Sequence, residues 1–547
     1  MKFPRLLLYI LLFGFLVRLS GIFYGLPLFA VNDEPSLILG ALKMLELKTI
    51  FPVFHMGEFQ NLLYYPPYLS YIYLLPFAVV ILGVTLMKGI TLGASAIMFG
   101  AGPSVFFVIA RSINVILGVL SIYLVYRIAE SLWGDRKASI AAAFLLSTSI
   151  LHIALSMVAR HWIPISFIFL LVIFILTKNN ISRNRKLVFS GIVSGLGVGV
   201  STLSALSAVL IILWYFLIEK RKFRDVFSDP FLYVYALIFF ILAVIPSMLY
   251  PSSHGFLVDV SFGEGKSILF LALSPLIIFS DLIRSEPVLV LSAIAGMIYA
   301  FGKNRFSLVS IIFIVVYSMV FYIFFRFESR FLLPVLPILA IFGGYAASIL
   351  LGFANSKSAK GLISSAFLAV LFILPIVVSV RVGELSFIGD TRVLAREWIF
   401  NHLPEGKVLT YGNLMRLPVD RNSLDELEAI DKEAVRQTDR FEANFEPQKK
   451  LYALNTYTIE NDNFFENVES YAREHGFQYF VYDKFYNAKR YPNRIAHLDS
   501  LALSGLLVAD WKSINGHSIS AGEFEDYFFT LFKNGYFGPD ISIYKLR

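Results

Sequence analysis

The chain has 547 residues, of which 57% are hydrophobic, 16% aromatic and only 16% charged, with a mean hydropathy of +0.70. A water-soluble protein carries about 25% charged residues, so this composition predicts a polytopic membrane protein and excludes disordered, collagen-like and disulfide-scaffold proteins. The chain contains no cysteine, which excludes a thiol nucleophile and a cysteine-ligated metal.

The net charge of +8 is divided unevenly along the chain. Residues 1–383 carry 28 Lys and Arg against 14 Asp and Glu, whereas residues 384–547 carry 19 against 25. The basic residues of the first part lie in short loops between apolar runs, where they set membrane topology. We therefore expect no nucleic-acid partner.

The first apolar run covers about residues 6–30 and lacks a small-residue cleavage site, which is typical of an uncleaved signal anchor. Arg18 lies within it, and we expect a salt bridge toward the region of Asp33. Further apolar runs lie near residues 66–87, 105–133, 138–157, 162–177, 187–218, 231–250, 268–283, 287–301, 306–325, 331–353 and 361–380. Together these runs predict about ten to thirteen membrane-spanning helices.

Short basic loops set the predicted orientation. They cover residues 134–137, 178–186, 219–224, 302–306 and 355–360. Such loops are typical of the cytoplasmic side, so we expect a multi-pass protein of the plasma (inner) membrane with a cytoplasmic N-terminus and an extracytoplasmic tail. A first outer loop would cover about residues 31–104, and its part from 66 to 104 would either lie at the interface or cross twice.

Two adjacent acids follow the first run in the sequence Asn32-Asp33-Glu34. A carboxylate held near apolar surface can accept a proton from a hydroxyl group and can stabilise a positively charged sugar carbon. A solvated loop pair or a helix cap is the alternative interpretation.

The outer segment 51–67 combines residues that suit sugar recognition by hydrogen bonding and ring stacking. These residues are His55, Glu58, Gln60, Asn61, Tyr64 and Tyr65. An interfacial aromatic belt with a single loop histidine is the alternative.

Arginines at the predicted outer edges of the spans form a third group, which consists of Arg111, Arg160 beside His161, and Arg330. The planar guanidinium binds phosphate at the headgroup level, although each arginine could instead be a snorkelling anchor. P-loop, HExxH and GxSxG motifs are absent from the sequence, so nucleotide hydrolysis, zinc proteolysis and serine esterase chemistry have no support. The glycines of GLGVG at 195–199 are expected to permit close helix packing.

From about residue 384 the composition changes to that of a separate soluble domain. Asp390 can cap a helix that runs through Asn401, and a second helix is predicted over 464–475. Strand-like segments begin at KVLTY and continue with FQYFVY, LLVAD and ISIYKL. The tail is therefore predicted to be a small extracytoplasmic α/β domain.

Several motifs together resemble one known family. LPLFAVNDE resembles its "DE" motif, and HMGEFQNLLYYPPYLSYIYLLPF its segment of prolines and aromatic residues. ARSINVILGVLSIYLVYRIAESLWGDRKASIAAAFLL resembles its next span, basic turn and span, and ESRFLLPVLPILAIFGG its late "RYLLP" motif. The chain thus resembles the GT-C membrane glycosyltransferases, especially glycosyltransferase family 39 with its protein O-mannosyltransferases and lipid A aminoarabinose transferases.

The resemblance implies that Asp33 is the catalytic base with Glu34 as its partner, and that Arg330 binds the donor phosphate. From their predicted place at the outer edges of the spans, we expect Arg160 or Arg111 to assist Arg330. His55, Glu58, Tyr65 and His161 would contact substrate. Where many relatives have a Pro-Asp, this chain has Ile165 after Pro164, so a second outer carboxylate is missing. No definite cofactor is predicted, and binding of a divalent metal is left as an alternative.

The resemblance implies an inverting glycosyltransferase with a GT-C-like transmembrane domain over residues 1–383 and the outer domain over 384–547. Its donor would be a polyprenyl-phosphate-linked sugar within the membrane lipids, and its acceptor an envelope glycan, lipid or protein. A lipid-linked sugar flippase and a catalytically inactive scaffold are the alternatives. An enzyme requires Asp33 and Arg330 to line one site.

Overall fold

The computed structural model describes residues 4–31, 33–59, 62–63, 65–92, 102–251, 276, 279–324, 329–354, 358–403, 406–412, 417, 420–435, 451–483, 491–514, 530–533 and 535–547. Of the residues singled out in the sequence, Asn32, Gln60, Asn61 and Tyr64 lie outside these ranges.

The first part of the chain is helical. Its helices are α1 (Arg5–Leu19), α2 (Glu34–Glu46), α3 (Met56–Phe59), α4 (Tyr68–Lys88), α5 (Ser104–Trp133), α6 (Arg136–Ser147), α7 (Ile150–Ser156), α8 (Trp162–Thr177), α9 (Arg183–Val198), α10 (Ser207–Leu213), α11 (Pro230–Leu249), α12 (Pro287–Ala300), α13 (Arg305–Phe324), α14 (Leu336–Ala354) and α15 (Ala359–Ile388). Short 3-10 helices cover Pro52–His55, Thr202–Leu206, Phe223–Phe227 and Ser329–Leu332.

Among the described residues, five helices are both long and apolar enough to cross a bilayer, namely α4, α5, α11, α14 and α15. The pair α6 and α7 adds a sixth candidate that bends by 58° at its break. Further apolar helices, among them α8 and α12, are shorter than 18 residues, so this measure gives fewer spans than the predicted ten to thirteen. The class of a polytopic helical membrane protein is confirmed.

The first helix is shorter than the apolar run that predicted it, because α1 ends at Leu19 and turns follow through residue 29. Gly25 adopts a φ of +66° within these turns, a conformation that glycine reaches without steric cost. The turns lead the chain from α1 toward the pair of acids at which α2 begins.

Glycines of α9 pack against α11, as the GLGVG segment predicted. A Cβ atom at Gly195 would lie 2.8 Å from the Leu242 Cβ and 3.0 Å from the Phe239 carbonyl oxygen, and one at Gly191 would lie 3.0 Å from the Tyr235 carbonyl oxygen. Small residues at such contacts let two helix backbones approach closely.

The chain after α15 forms a small α/β unit around a five-stranded sheet. Its helices are α16 (Thr391–His402), α17 (Arg421–Ile430), α18 (Asp462–Glu466), α19 (Val468–Glu474) and α20 (Pro492–Ser504), and its strands are β1 (Lys407–Tyr411), β2 (Tyr452–Asn455), β3 (Tyr479–Asp483), β4 (Leu506–Trp511) and β5 (Ile541–Lys545). The strand order is β2-β1-β3-β5-β4, in which β5 is antiparallel to both neighbours and the other pairs are parallel. Hydrophobic clusters cover both faces of the sheet.

The four strand-like segments predicted from the sequence all become strands. The helix predicted over 464–475 is instead the pair α18 and α19, with Asn467 between them. Asp390 caps α16 as predicted, because its carboxylate accepts a hydrogen bond from the backbone N–H of Arg392 at 2.9 Å. Helix α15 continues to Ile388, past the residue at which the sequence placed the end of the membrane part.

Candidate active site

Asp33 and Glu34 lie side by side at the start of α2, yet their carboxylates have different surroundings. Asp33 has a φ of +73°, which is uncommon for a residue other than glycine. Its side chain is 31% exposed, whereas that of Glu34 is fully buried. The hydroxyl of Ser36 donates to the Asp33 carbonyl oxygen at 2.7 Å. Adjacent acids therefore present one carboxylate to the outside and one to the interior.

The buried carboxylate of Glu34 is held by Arg111 of α5. Arg111 Nε donates to Glu34 Oε1 at 2.9 Å, and Nη2 donates to Oε2 at 2.7 Å. The backbone N–H of Ala159 also donates to Oε1. Arg111 Nη1 donates to the carbonyl oxygens of Ile22 and Tyr24 at 2.9 and 2.7 Å. This bidentate pair fixes the turns before α2 against α5.

The surroundings of Arg111 differ from those expected of a phosphate ligand. Its guanidinium is fully buried, and its hydrogen bonds run to Glu34 and to backbone carbonyls. A buried charge keeps its partner because separation would leave both groups desolvated. The geometry thus indicates that Arg111 supports Glu34 rather than binding the donor phosphate.

The half-exposed carboxylate of Asp33 pairs with Arg160, which lies between α7 and α8. Arg160 Nη2 donates to Asp33 Oδ2, and the Arg160 side chain is only 4% exposed. Tyr65 forms hydrogen bonds with both side chains. Burial and the neighbouring Asp33 carboxylate raise the pKa of Tyr65 above its ordinary value, so its phenol stays protonated at neutral pH. We call these three residues the polar cluster.

Asn114 fixes the backbone that carries Arg160. It is fully buried on α5, three residues after Arg111 and so on the same side of that helix. Its amide nitrogen donates to the carbonyl oxygens of Val158 and Arg160 at 2.6 and 2.8 Å. Asn114 was not among the predicted site residues, although a carboxamide inside an apolar run is a signal for a functional position.

A row of rings extends from the polar cluster toward Arg330. The centroids of Tyr65 and His161 are 4.7 Å apart, those of His161 and Trp162 4.4 Å, and those of Trp162 and Phe331 5.1 Å. The guanidinium of Arg330 lies 5.6 Å from the centroid of Phe331. Three residues predicted for the site, Tyr65, His161 and Arg330, are therefore linked through contiguous side chains.

His55 and Glu58 lie apart from this row on the surface. Their side chains are 37% and 51% exposed, and His55 Nδ1 lies 3.7 Å from Glu58 Oε1. The adjacent Phe59 is buried with its ring centroid 6.5 Å from that of Tyr250. In the part of the chain that the structure describes, neither His55 nor Glu58 forms a hydrogen bond or ion pair with the polar cluster.

Arg18 does not form the expected salt bridge toward Asp33. It is fully buried, its guanidinium donates to the carbonyl oxygens of Leu146 and Ser147 at 3.1 Å each, and Nη2 lies 2.8 Å from His152 Nδ1. These carbonyls end α6, where a cation stabilises the negative end of the helix. The sequence could not reveal this partner because the break after α6 creates it.

The start of α7, on the other side of this break, is capped by Glu286. The Glu286 carboxylate accepts hydrogen bonds from the Ser149 hydroxyl at 2.7 Å and from the Leu151 N–H at 2.9 Å. A carboxylate at a helix N-terminus matches the positive end of the helix dipole. Arg18 thus caps the carbonyl groups at the end of α6, and Glu286 caps the start of α7.

Among the residues that the structure describes, those around Asp33 do not fit a divalent metal. Both Glu34 oxygens are bonded to Arg111, and Asp33 pairs with Arg160. A divalent cation in such a site needs several oxygen ligands, and nowhere in the described ranges do three His, Asp or Glu side chains come together in a metal-binding arrangement.

Solved structures with a similar course of the chain include membrane glycosyltransferases. The archaeal oligosaccharyltransferase AglB from Archaeoglobus fulgidus, in complex with an inhibitory peptide and a dolichol-phosphate, is 14% identical, with 88% of this chain and 69% of that chain covered and a TM-score of 0.47. ArnT from Cupriavidus metallidurans, bound to undecaprenyl phosphate, is 13% identical, with 98% and 97% covered and a TM-score of 0.47.

The arabinofuranosyltransferase AftD from Mycobacteria is 14% identical, and the match covers 100% of this chain and 40% of that chain with a TM-score of 0.43. No curated protein sequence matches the chain. Residues 94–250 match the family model described as dolichyl-phosphate-mannose-protein mannosyltransferase. This match confirms that the chain resembles the glycosyltransferase family 39 group of the GT-C membrane glycosyltransferases.

Proposed function

We propose that this chain is an inverting membrane glycosyltransferase. It moves a sugar from a polyprenyl-phosphate-linked donor to an envelope lipid, glycan or protein acceptor. The observation that carries the proposal is the polar cluster, in which a half-exposed Asp33 carboxylate is held by the buried Arg160 and by Tyr65. The family model that matches residues 94–250 supports a lipid-linked donor.

Asp33 acts as the general base. The acceptor hydroxyl oxygen attacks the anomeric carbon, its proton passes to the Asp33 carboxylate, and the bond between that carbon and the phosphate oxygen breaks. The bonding electrons leave with the polyprenyl phosphate, and the configuration at the anomeric carbon inverts. Arg160 and Tyr65 hold the carboxylate in place for this proton transfer, which orients the reacting groups before attack.

Arg330 binds the donor phosphate and stabilises the charge that develops on the leaving group. It is half-buried, and it lies at the end of the ring row that begins at the polar cluster. A preorganised guanidinium is effective where phosphate charge develops. His161 and Tyr65, whose rings are in contact, flank the sugar between base and phosphate.

Glu34 and Arg111 support the site from below. Their buried pair fixes the backbone on which Asp33 sits, and in this proposal neither side chain acts on the reacting groups. His55 and Glu58 lie on the exposed part of the first outer segment. They are proposed to contact the acceptor before it reaches Asp33.

The proposed reaction takes place on the extracytoplasmic face of the plasma (inner) membrane. This assignment rests on the basic loops, which are expected to be cytoplasmic. They put the N-terminus inside and the α/β unit that follows α15, here called the sheet domain, outside. In this arrangement residues 1–383 form the catalytic membrane domain, and residues 384–547 form an outer domain. No nucleotide sugar is required on that face.

The test is release of free polyprenyl phosphate by the purified protein in lipid vesicles. A panel of lipid-linked sugars is supplied with crude envelope extract as the acceptor. Asp33→Asn is expected to lower sugar-dependent release by about 10²- to 10⁴-fold, the contribution of a general base. Glu46→Gln is the matched control, since Glu46 lies on the same helix and is 63% exposed in a pair with Lys43.

Full release by Asp33→Asn would contradict the assignment of the base. Binding of the lipids without release of phosphate from any donor would contradict a transferase and favour a flippase or an inactive scaffold.

A further inference from the structure

The sheet domain contacts the turns before Asp33 through one buried carboxylate. The Tyr24 hydroxyl donates to Asp390 Oδ2 at 2.6 Å. Tyr24 is 2% exposed and Asp390 is fully buried, so water does not compete for this hydrogen bond. A hydrogen bond to a buried charge is stronger than one between neutral groups.

Arg392 reinforces this contact from the same helix. Its Nε donates to Asp390 Oδ1 and its Nη2 to Oδ2, both at 2.7 Å. Nη2 also donates to the Ala30 carbonyl oxygen at 3.4 Å. The sheet domain therefore holds the turn segment at Tyr24 and again at Ala30, three residues before Asp33.

Residues just before β5 complete the contact. The Tyr24 ring meets the ring of Phe537 edge to face with centroids 6.3 Å apart. Gly538 has a φ of +109°, and a Cβ atom there would lie 2.8 Å from Asp390 Oδ1. Only glycine allows the chain to approach Asp390 so closely, so two distant parts of the sheet domain converge on Tyr24.

The same turn segment is also bound by α5 of the membrane part. The Tyr24 carbonyl oxygen accepts a hydrogen bond from Arg111 Nη1 at 2.7 Å, and Arg111 also holds Glu34. A continuous series of buried hydrogen bonds therefore runs from Asp390 through Tyr24 and Arg111 to Glu34. This series ends at the residue next to Asp33.

We propose that Asp390 and Arg392 of the sheet domain are positioning residues for Asp33. They act through Tyr24 and Ala30, which lie in the turns that lead to the carboxylate. The sheet domain thus has a part in the reaction without touching the substrate. This inference rests on the proposed function of Asp33 as the base.

Tyr24→Phe is the variant that tests the proposal, because it removes the hydroxyl and keeps the ring against Phe537. Tyr471→Phe is the matched control: its hydroxyl also donates to a carboxylate, that of Glu426, but within the sheet domain. Since the chain has no cysteine, a spin label on Phe23→Cys reports the turns alone. Phe23 is 68% exposed, so the label does not displace a buried side chain.

Tyr24→Phe is expected to raise the mobility of the label at position 23 and to lower kcat for polyprenyl phosphate release about tenfold, as misplacement of a catalytic group does. The donor KM is expected to stay within about twofold, because the phosphate site is not altered. Tyr471→Phe is expected to leave the label mobility and the kcat unchanged.

Equal label mobility in Tyr24→Phe and Tyr471→Phe would overturn the proposal, and so would an unchanged kcat in a wild-type protein that releases polyprenyl phosphate. If the wild-type protein released none, the difference in label mobility would still support the attachment of the turns. Only the reaction assigned to Asp33 would then be wrong.

Discussion

Arg111 and Glu34 form an ion pair in which both side chains are fully buried, with 2.7 Å between Nη2 and Oε2. This pair separates the roles of two neighbouring acids. The Glu34 carboxylate is fully buried and bonded to Arg111, whereas the Asp33 carboxylate is partly exposed.

The first prediction concerns the stability of the buried pair. Arg111→Met leaves the Glu34 carboxylate desolvated without its partner, and we expect a loss of about 3–5 kcal/mol in the free energy of unfolding. The double variant Arg111→Met with Glu34→Leu is expected to regain part of that loss, because neither charge remains buried. Thermal unfolding in detergent, followed by tryptophan fluorescence, measures both values.

The control for Arg111→Met is Arg473→Gln, which breaks an exposed pair with Glu469 on α19. An exposed pair of this spacing contributes about 0.3–0.5 kcal/mol. A loss of similar size in Arg111→Met would contradict the assigned role of the buried pair.

The second prediction concerns the shape of the cation that holds Asp33. Arg160→Lys keeps the charge but loses the planar guanidinium that bonds Asp33 and Tyr65 together. We expect kcat for polyprenyl phosphate release to fall about tenfold, as expected when a catalytic group loses its orientation. Steady-state kinetics in vesicles provide the measurement, and a kcat equal to that of the wild type would refute the positioning by Arg160.

The third prediction concerns Asn114. Asn114→Leu removes the two hydrogen bonds to the Val158 and Arg160 carbonyl oxygens and leaves both buried acceptors without this donor. We expect a cost of about 1–3 kcal/mol in unfolding free energy, together with a lower kcat because the backbone of Arg160 shifts.

Asn467→Ala is the comparison for Asn114, because its amide donates to the Asn463 carbonyl oxygen at an exposed site. We expect little change there, since water replaces the lost donor. If both variants unfolded at the same temperature as the wild type, Asn114 would not be a structural support of the site.

The fourth prediction concerns the packing of α9 on α11. Gly195→Val places a branched side chain where a single Cβ atom would already lie 2.8 Å from Leu242. Overpacking of this kind costs about 1–3 kcal/mol, so we expect a lower unfolding temperature in detergent. Gly83→Val on α4 is the control because no atom lies within 4 Å of its Cβ position; an equal effect at both positions would rule out the contact with α11 as the cause.

Much of the fold could be predicted because its signals are local. Long apolar runs produced the helices, and short apolar segments bounded by polar residues produced β1, β3, β4 and β5. Strand β2 and helices α17 and α20 were not predicted; the four residues of β2 have little periodicity to detect. The break between α6 and α7 was also missed, because apolar composition continues across it.

The site could be predicted in its residue types but not in its pairing. Asp33 and Arg160 are 127 positions apart in the sequence; Arg18 was the partner expected toward Asp33, whereas Arg111 and Arg160 were expected to bind phosphate. Packing decides between them: Arg18 meets a helix end, Arg111 meets Glu34, and Arg160 meets Asp33. Charge and spacing alone carry no information on such a choice.

The capped break between α6 and α7 has a consequence for the order in which the protein is assembled. Arg18 precedes both helices in the chain, so the carbonyls that end α6 can be capped as soon as that helix enters the membrane. Glu286 lies 135 residues after Leu151, and it is synthesised only after α7 and the helices through α11 have left the ribosome. The start of α7 has a local cap in Ser149, whose hydroxyl accepts a hydrogen bond from the His152 N–H, so Glu286 joins a helix end that is already capped, late in biogenesis.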